Sequence, residues 1–95
     1  MTITISSLRC GLQVALLGNI TSNLRAINAS VNENNIKLFF YYETSPSEED
    51  EELSEVVVSE LYADFINSSI EIERIVLPIS NKIPEQEIKV FHRKE

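Results

Sequence analysis

Residues 23–43 read NLRAINASVNENNIKLFFYYE, two apolar-rich runs separated by Asn-Glu-Asn-Asn. In the first run Arg25, Ile27, Ala29 and Val31 fall on one side of an extended chain, and Leu24, Ala26, Asn28 and Ser30 on the other. Side chains alternate in this way along a strand. The second run, residues 36–43, is rich in aromatic and branched side chains and apolar on both faces, which fits a central strand. Asparagine tolerates positive φ, so residues 32–35 suit a turn. Together the runs predict a hairpin with a four-residue loop.

Upstream, residues 2–5, TITI, alternate briefly as a short strand or an extended lead-in. Ser6 or Ser7 can cap a helix running to about Leu17, in which Leu8, Leu12, Ala15 and Leu16 share one face. Val14 and Leu17 lie off that stripe, so the helix is expected to be covered on more than one side. Gly18 stands where a left-handed C-terminal cap is wanted. Downstream, Leu53, Val57, Leu61 and Phe65, flanked by Val56 and Val58, mark a second helix from about Pro46 to Ile66. A third strand follows at residues 70–77, stopped by Pro78. After a loop with two prolines, Ile88, Val90 and His92 alternate against Lys89, Phe91 and Arg93 in a fourth strand. The order α-β-β-α-β-β predicts an α+β fold with residues 1–95 as a single domain. The expected architecture is a two-layer sandwich, a mostly antiparallel four-stranded sheet with both helices on one face.

Composition narrows the function. The 95 residues carry a formal net charge of −7, with no Lys or Arg between Lys37 and Arg74 but eleven Asp or Glu there. Such a chain repels nucleic acid and anionic membrane and favours cationic or neutral partners. The single cysteine, Cys10, excludes an intrachain disulfide and a paired-cysteine metal motif, and is expected to be a buried, reduced small hydrophobe. The apolar stretch near the N-terminus lacks a basic lead and is too short to span a bilayer, so the expected location is cytoplasmic.

The charge is concentrated in SPSEEDEEL, residues 45–53. Ser45 as N-cap places Pro46 first and Glu48 third in the helix, a capping box, while Ser47 with Asp50 is the competing register. Acids in the first turn complement the helix dipole, so Glu48, Glu49 and Asp50 have a structural reason to be there. Glu51, Glu52 and Glu55 lie further in and lack basic partners four residues on. They are either a solvated face or, with Glu60, an acidic docking surface for a cationic partner. Phe39, Phe40, Tyr41 and Tyr42 supply core on one face of their strand and a contact surface on the other, and Tyr42 joins the acids as a candidate partner-binding residue.

Catalytic signals are weak. Carboxylates around one helix do not converge on a metal or face each other across a cleft, so neither a metal, a cofactor nor a catalytic residue is assigned. His92 fits a strand end or basic tail, and Asp64 is expected to bond a backbone group or Arg25. A small hydrolase using Asp64, His92 and tyrosines, and a non-catalytic interaction or oligomerisation module, are the two alternative functions.

Taken together, LLGNITSNLRAI, FFYYETSPSEEDEE, SELYADF, ERIVLP and KVFHRKE, spread from Leu16 to Glu95, resemble a family of small acidic bacterial proteins. The resemblance is to immunity proteins of contact-dependent growth inhibition, antitoxins paired with C-terminal toxin domains. It implies a non-enzymatic cytoplasmic inhibitor that covers the active site, or a neighbouring surface, of a cognate basic toxin domain, expected to be a nuclease. Glu48, Glu49, Asp50, Glu51, Glu52, Glu55, Glu60 and Tyr42 are the residues expected to meet it.

Overall fold

The computed structural model describes residues 5–16, 18, 20–85 and 88–93, with the backbone alone at Ile5. The expected hairpin is its centre. β1 (Leu24–Asn32) pairs antiparallel with β2 (Asn35–Tyr42), setting Ile27 opposite Phe40 and Val31 opposite Ile36. The turn is tighter than expected, because Asn32 and Asn35 form one more rung. Glu33, not an asparagine, takes the positive φ of 56°. Each added rung satisfies backbone groups that would otherwise rely on water.

The register of β1 slips between Leu24 and Ala26, which sets Leu24 opposite Tyr42. Leu24 therefore shares the apolar core with Ile27 and Ala29, contrary to strict alternation. Arg25 is buried away from that core, and its Nη1 donates to the carbonyls of Leu77, Pro78 and Asn81 at 2.9, 3.0 and 3.0 Å. A guanidinium in an apolar layer would cost several kcal/mol, about the scale of an unpaired buried charge, so the slip has a plain advantage.

The sheet corrects one expectation. Its strand order is β3-β2-β1-β4, with β3 (Ser69–Val76) parallel to β2 and β4 (Ile88–His92) antiparallel to β1. The sheet is mixed rather than mostly antiparallel, and β3 and β4 occupy opposite edges instead of forming a second pair. Element lengths explain this. The 17 residues of α2 (Glu48–Asp64) span about 26 Å, and the 8 residues of β2 span about the same. A helix of that length returns the chain to the start of β2, so the next strand runs alongside it in the same direction. Ser69 accordingly stands opposite Asn35, and Val76 opposite Tyr42.

To reach the far edge, residues 77–85 cross the sheet on the face opposite the helices. Arg25 holds one end of this strap, and Asn28 holds the other by donating Nδ2 to the Pro84 carbonyl at 3.0 Å. Beneath it Ala26 and Tyr41 are buried although they lie outside the helix-side core. A second slip, between Ile27 and Asn28 in the β1–β4 pairing, breaks the alternation expected for β4. Phe91 packs against the core beside Ile88 and Val90, while His92 Nε2 meets Asn28 Oδ1 at 3.1 Å.

Both helices cover the other face. α1 (Ile5–Ala15) buries Leu8, Leu12 and Ala15, and Leu16 follows them inward just past its end, the stripe read from spacing. α2 adds Val57, Val58 and Leu61, with Phe65 as its C-cap. α1 lies against β4 and α2 against β3, and the helices touch each other. Gly18 has the expected positive φ, 78°. Val14 is 60% exposed, so α1 is not wrapped on that second side. Cys10 is exposed rather than buried, since it falls well away from the Leu8–Leu12 stripe. The TIT of residues 2–4 and Leu17 lie outside the described residues.

Candidate functional site

The acidic face begins with its cap. α2 starts at Glu48 with Ser47 as N-cap, so the second of the two registers is the one used. Asp50 N donates to Ser47 Oγ at 3.1 Å and Ser47 N to Asp50 Oδ2 at 2.9 Å, a reciprocal capping box. Ser45 and Pro46 remain in the preceding loop.

This register turns Asp50 inward. It is 4% exposed, and its carboxylate also accepts from Thr21 Oγ1 at 2.5 Å and Asn23 Nδ2 at 3.0 Å. Burial pushes its carboxyl up, but bonds from Thr21, the Ser47 backbone, Asn23 and the Ser47 side chain outweigh it and hold the group below its ordinary value of 3.8. Asp50 ties the start of α2 to the segment before β1 and is withdrawn from the surface. Tyr42, 2% exposed, is likewise part of the interior. Burial raises its phenol, opposed first by a hydrogen bond with Ser54 and more weakly by Arg74.

The remaining acids separate into three places. Glu48, Glu51, Glu52 and Glu55 are exposed on one face of α2 and, with Val56 and Arg74, line an open groove of about 660 Å³. Glu49 points to a neighbouring polar hollow beside Thr21, Asn23 and Glu43. Glu60 lies away from both, in a hollow between the helices with Gly11, Val14 and Asp64.

Arg74 is the residue missed by reading α2 alone. It comes from β3, in phase with Ile70 and Ile72, so its side chain is directed at the helix layer. Its Nε donates to Ser54 Oγ at 3.0 Å, and its Nη2 pairs with Glu55 Oε1 at 2.6 Å. Glu55 thus has a cation, delivered by the parallel strand rather than by the helix. A basic residue in an apolar phase of β3 was the available signal. Glu48, Glu51 and Glu52 have no ion pair among the described residues, and so continue to repel one another.

The hydrolase set does not assemble. Asp64 is exposed at the end of α2, its Oδ2 beside Gly11, whereas Arg25 and His92 lie across the sheet in the cleft under the strap. Among the described residues no three His, Cys, Asp or Glu side chains are placed to hold a metal ion. No described helix is long and apolar enough to cross a membrane.

Fold and groove define a small two-layer α+β protein with an exposed acidic face on one helix. A family model described as MafI2 immunity protein matches residues 5–95, and the chain belongs to that family. A search of curated proteins finds no match. Membership in an immunity family implies a cognate toxin as partner.

Proposed function

We propose that this chain, acting as one domain in the cytoplasm of the producing cell, neutralises a basic toxin domain by binding rather than by catalysis. The toxin belongs to a contact-dependent growth inhibition system and is a nuclease, whose cationic cleft or its rim receives the acidic face of α2. Glu48, Glu51 and Glu52 make the first contacts, with Glu49 and Glu55 at the margin and Glu60 engaged only by a footprint that extends toward α1. Asp50 and Tyr42 support this face from beneath. The observation that carries the reading is a run of exposed acids for which Arg74 is the only cation lining the groove among the described residues.

Such a surface accelerates encounter with a positive partner and loses that advantage as salt rises, because exposed charges are screened beyond ~8–10 Å at physiological ionic strength. The test is the association rate with the toxin domain encoded beside this chain. Joint Glu48→Lys, Glu51→Lys and Glu52→Lys substitution should slow association by about tenfold or more at low salt, and little at high salt. An on-rate that the triple variant leaves unchanged would remove the acidic face from docking.

A further inference from the structure

The groove is bordered on one side by the acids of α2 and on the other by Arg74, which rises from the edge strand β3. In this parallel pair Ser69 N donates to Asn34 O and Leu77 N to Tyr42 O, so the odd-numbered residues of β3 direct their backbone groups at β2. Ile70, Ile72, Arg74 and Val76 direct theirs outward. At Ile70 both groups meet the Tyr62 hydroxyl, at 3.4 Å each. At Ile72, Arg74 and Val76 no described residue meets them. β3 contains no proline and no register slip over its 8 residues. The opposite edge is different: β4 has only 5 residues, and its Val90 carbonyl accepts from Gln13 Nε2 of α1 at 3.3 Å. Proteins usually shorten, twist or cover an edge, because unpaired N–H and C=O groups template another strand. One edge here is treated in that way; the other is open from Ile72 to Val76 and marked only by the charges of Glu71, Glu73 and Arg74.

We propose that the outer edge of β3 accepts an extended segment of the partner bearing lysine or arginine at alternate positions, adding a fifth strand to the sheet. This rests on the reading that the partner is a basic toxin domain. An added strand lies ~4.8 Å from β3 and alternates its side chains between the two faces. Those on the helix side fall over Glu48, Glu51, Glu52 and Glu55; those on the other side fall beside Glu71 and beside Glu73, which already pairs with Lys37 Nζ at 3.4 Å. The acids without an ion pair among the described residues, Glu48, Glu51 and Glu52, lie on the helix side, so cations are favoured at the alternate positions that face α2. Main-chain hydrogen bonds supply affinity and the acids supply selection. A second copy of this chain fits poorly, because edge-to-edge pairing would set the same acids against each other.

The test is amide hydrogen exchange, read residue by residue, in the free chain and in its complex with the toxin domain encoded beside it. Expected is slowing of exchange by about tenfold or more at Ile72, Arg74 and Val76 on binding. Ile72→Pro, which removes an outward N–H while leaving the β2 ladder intact, should weaken binding. A complex in which these three amides exchange as in the free chain overturns the edge inference and leaves the immunity reading standing. Protection that appears in the free chain and grows with its concentration identifies a second copy as occupant and also overturns it. Failure of any complex to form counts against the toxin reading instead. The edge is then decided with a synthetic peptide of alternating lysine and valine. Protection by this peptide, and none by its glutamate–valine counterpart, supports the edge site; no protection, or equal protection by both, overturns it.

Discussion

Asp50 shows how one side chain in a charge run can have a different occupation from its neighbours. Its carboxylate closes the capping box and receives Thr21 and Asn23, so Asp50→Ala weakens a helix cap, removes the acceptor of Thr21 Oγ1 and leaves Asn23 Nδ2 with the Thr44 carbonyl alone. The expected loss is roughly 2–3 kcal/mol in denaturant unfolding. The pH dependence has a definite sign. The folded carboxyl titrates below its unfolded value, so its contribution is fully present above about pH 4 to 5 and is lost as pH falls through the folded value. The stability gap between the wild-type chain and Asp50→Asn should therefore shrink on acidification through that window, and a gap that stays constant would contradict the assignment. Of this arrangement only the capping-box possibility could be read in SPSEEDEEL. The partners Thr21 and Asn23 lie far back in the chain, and local pattern has no access to them.

At the scale of elements, the two helices approach each other closely at Gly11. A β-carbon there would stand 3.2 Å from Asp64 Oδ2 and 3.4 Å from both Leu61 Cδ1 and Phe65 Cε2. The tightest neighbour is the tip of an exposed side chain that can swing aside. Gly11→Ala should therefore be neutral or stabilising by up to about 1 kcal/mol, reflecting alanine's helix propensity. Gly11→Val drives branches into buried Leu61 and Phe65 and should destabilise by about 1–3 kcal/mol. Thermal unfolding of the two variants checks both signs. Element identity was well marked in the chain: Leu8–Leu12–Leu16 and Val57–Leu61–Phe65 repeat at helical spacing, and residues 36–43 have no competing reading. Register slips at Arg25 and near Ile27 were hidden, because period-two alternation assumes an unbroken ladder.

At the scale of the molecule, the direction and position of β3 were the main things the residues did not announce. Alternation says that Ile70, Ile72 and Arg74 share a face, not which strand lies beside them, and the strap that parts β3 from β4 contains no regular element to betray its path. Its anchors carry the next prediction. Arg25→Gln cannot reach the carbonyls of Leu77, Pro78 and Asn81 together, and should cost roughly 2–4 kcal/mol. Amide exchange should quicken across residues 77–85 and at Ala26 before it does at Leu38 or Ile36 in the hairpin. If all these amides quicken equally, the strap is not a separable layer.

The route of that strap also sets an order of events. β1, β2, α2 and β3 follow one another in the chain and are neighbours in space, so their contacts close short loops. The rung between Ala29 and Ile88 joins the two ends of a far longer loop, whose closure entropy must be met before any contact offsets it. On loop closure alone, β4 is accordingly expected to dock after the β1–β2 hairpin has formed. The acidic groove and the open strand edge are complete without it, so a partner could recognise this chain before its own sheet has closed.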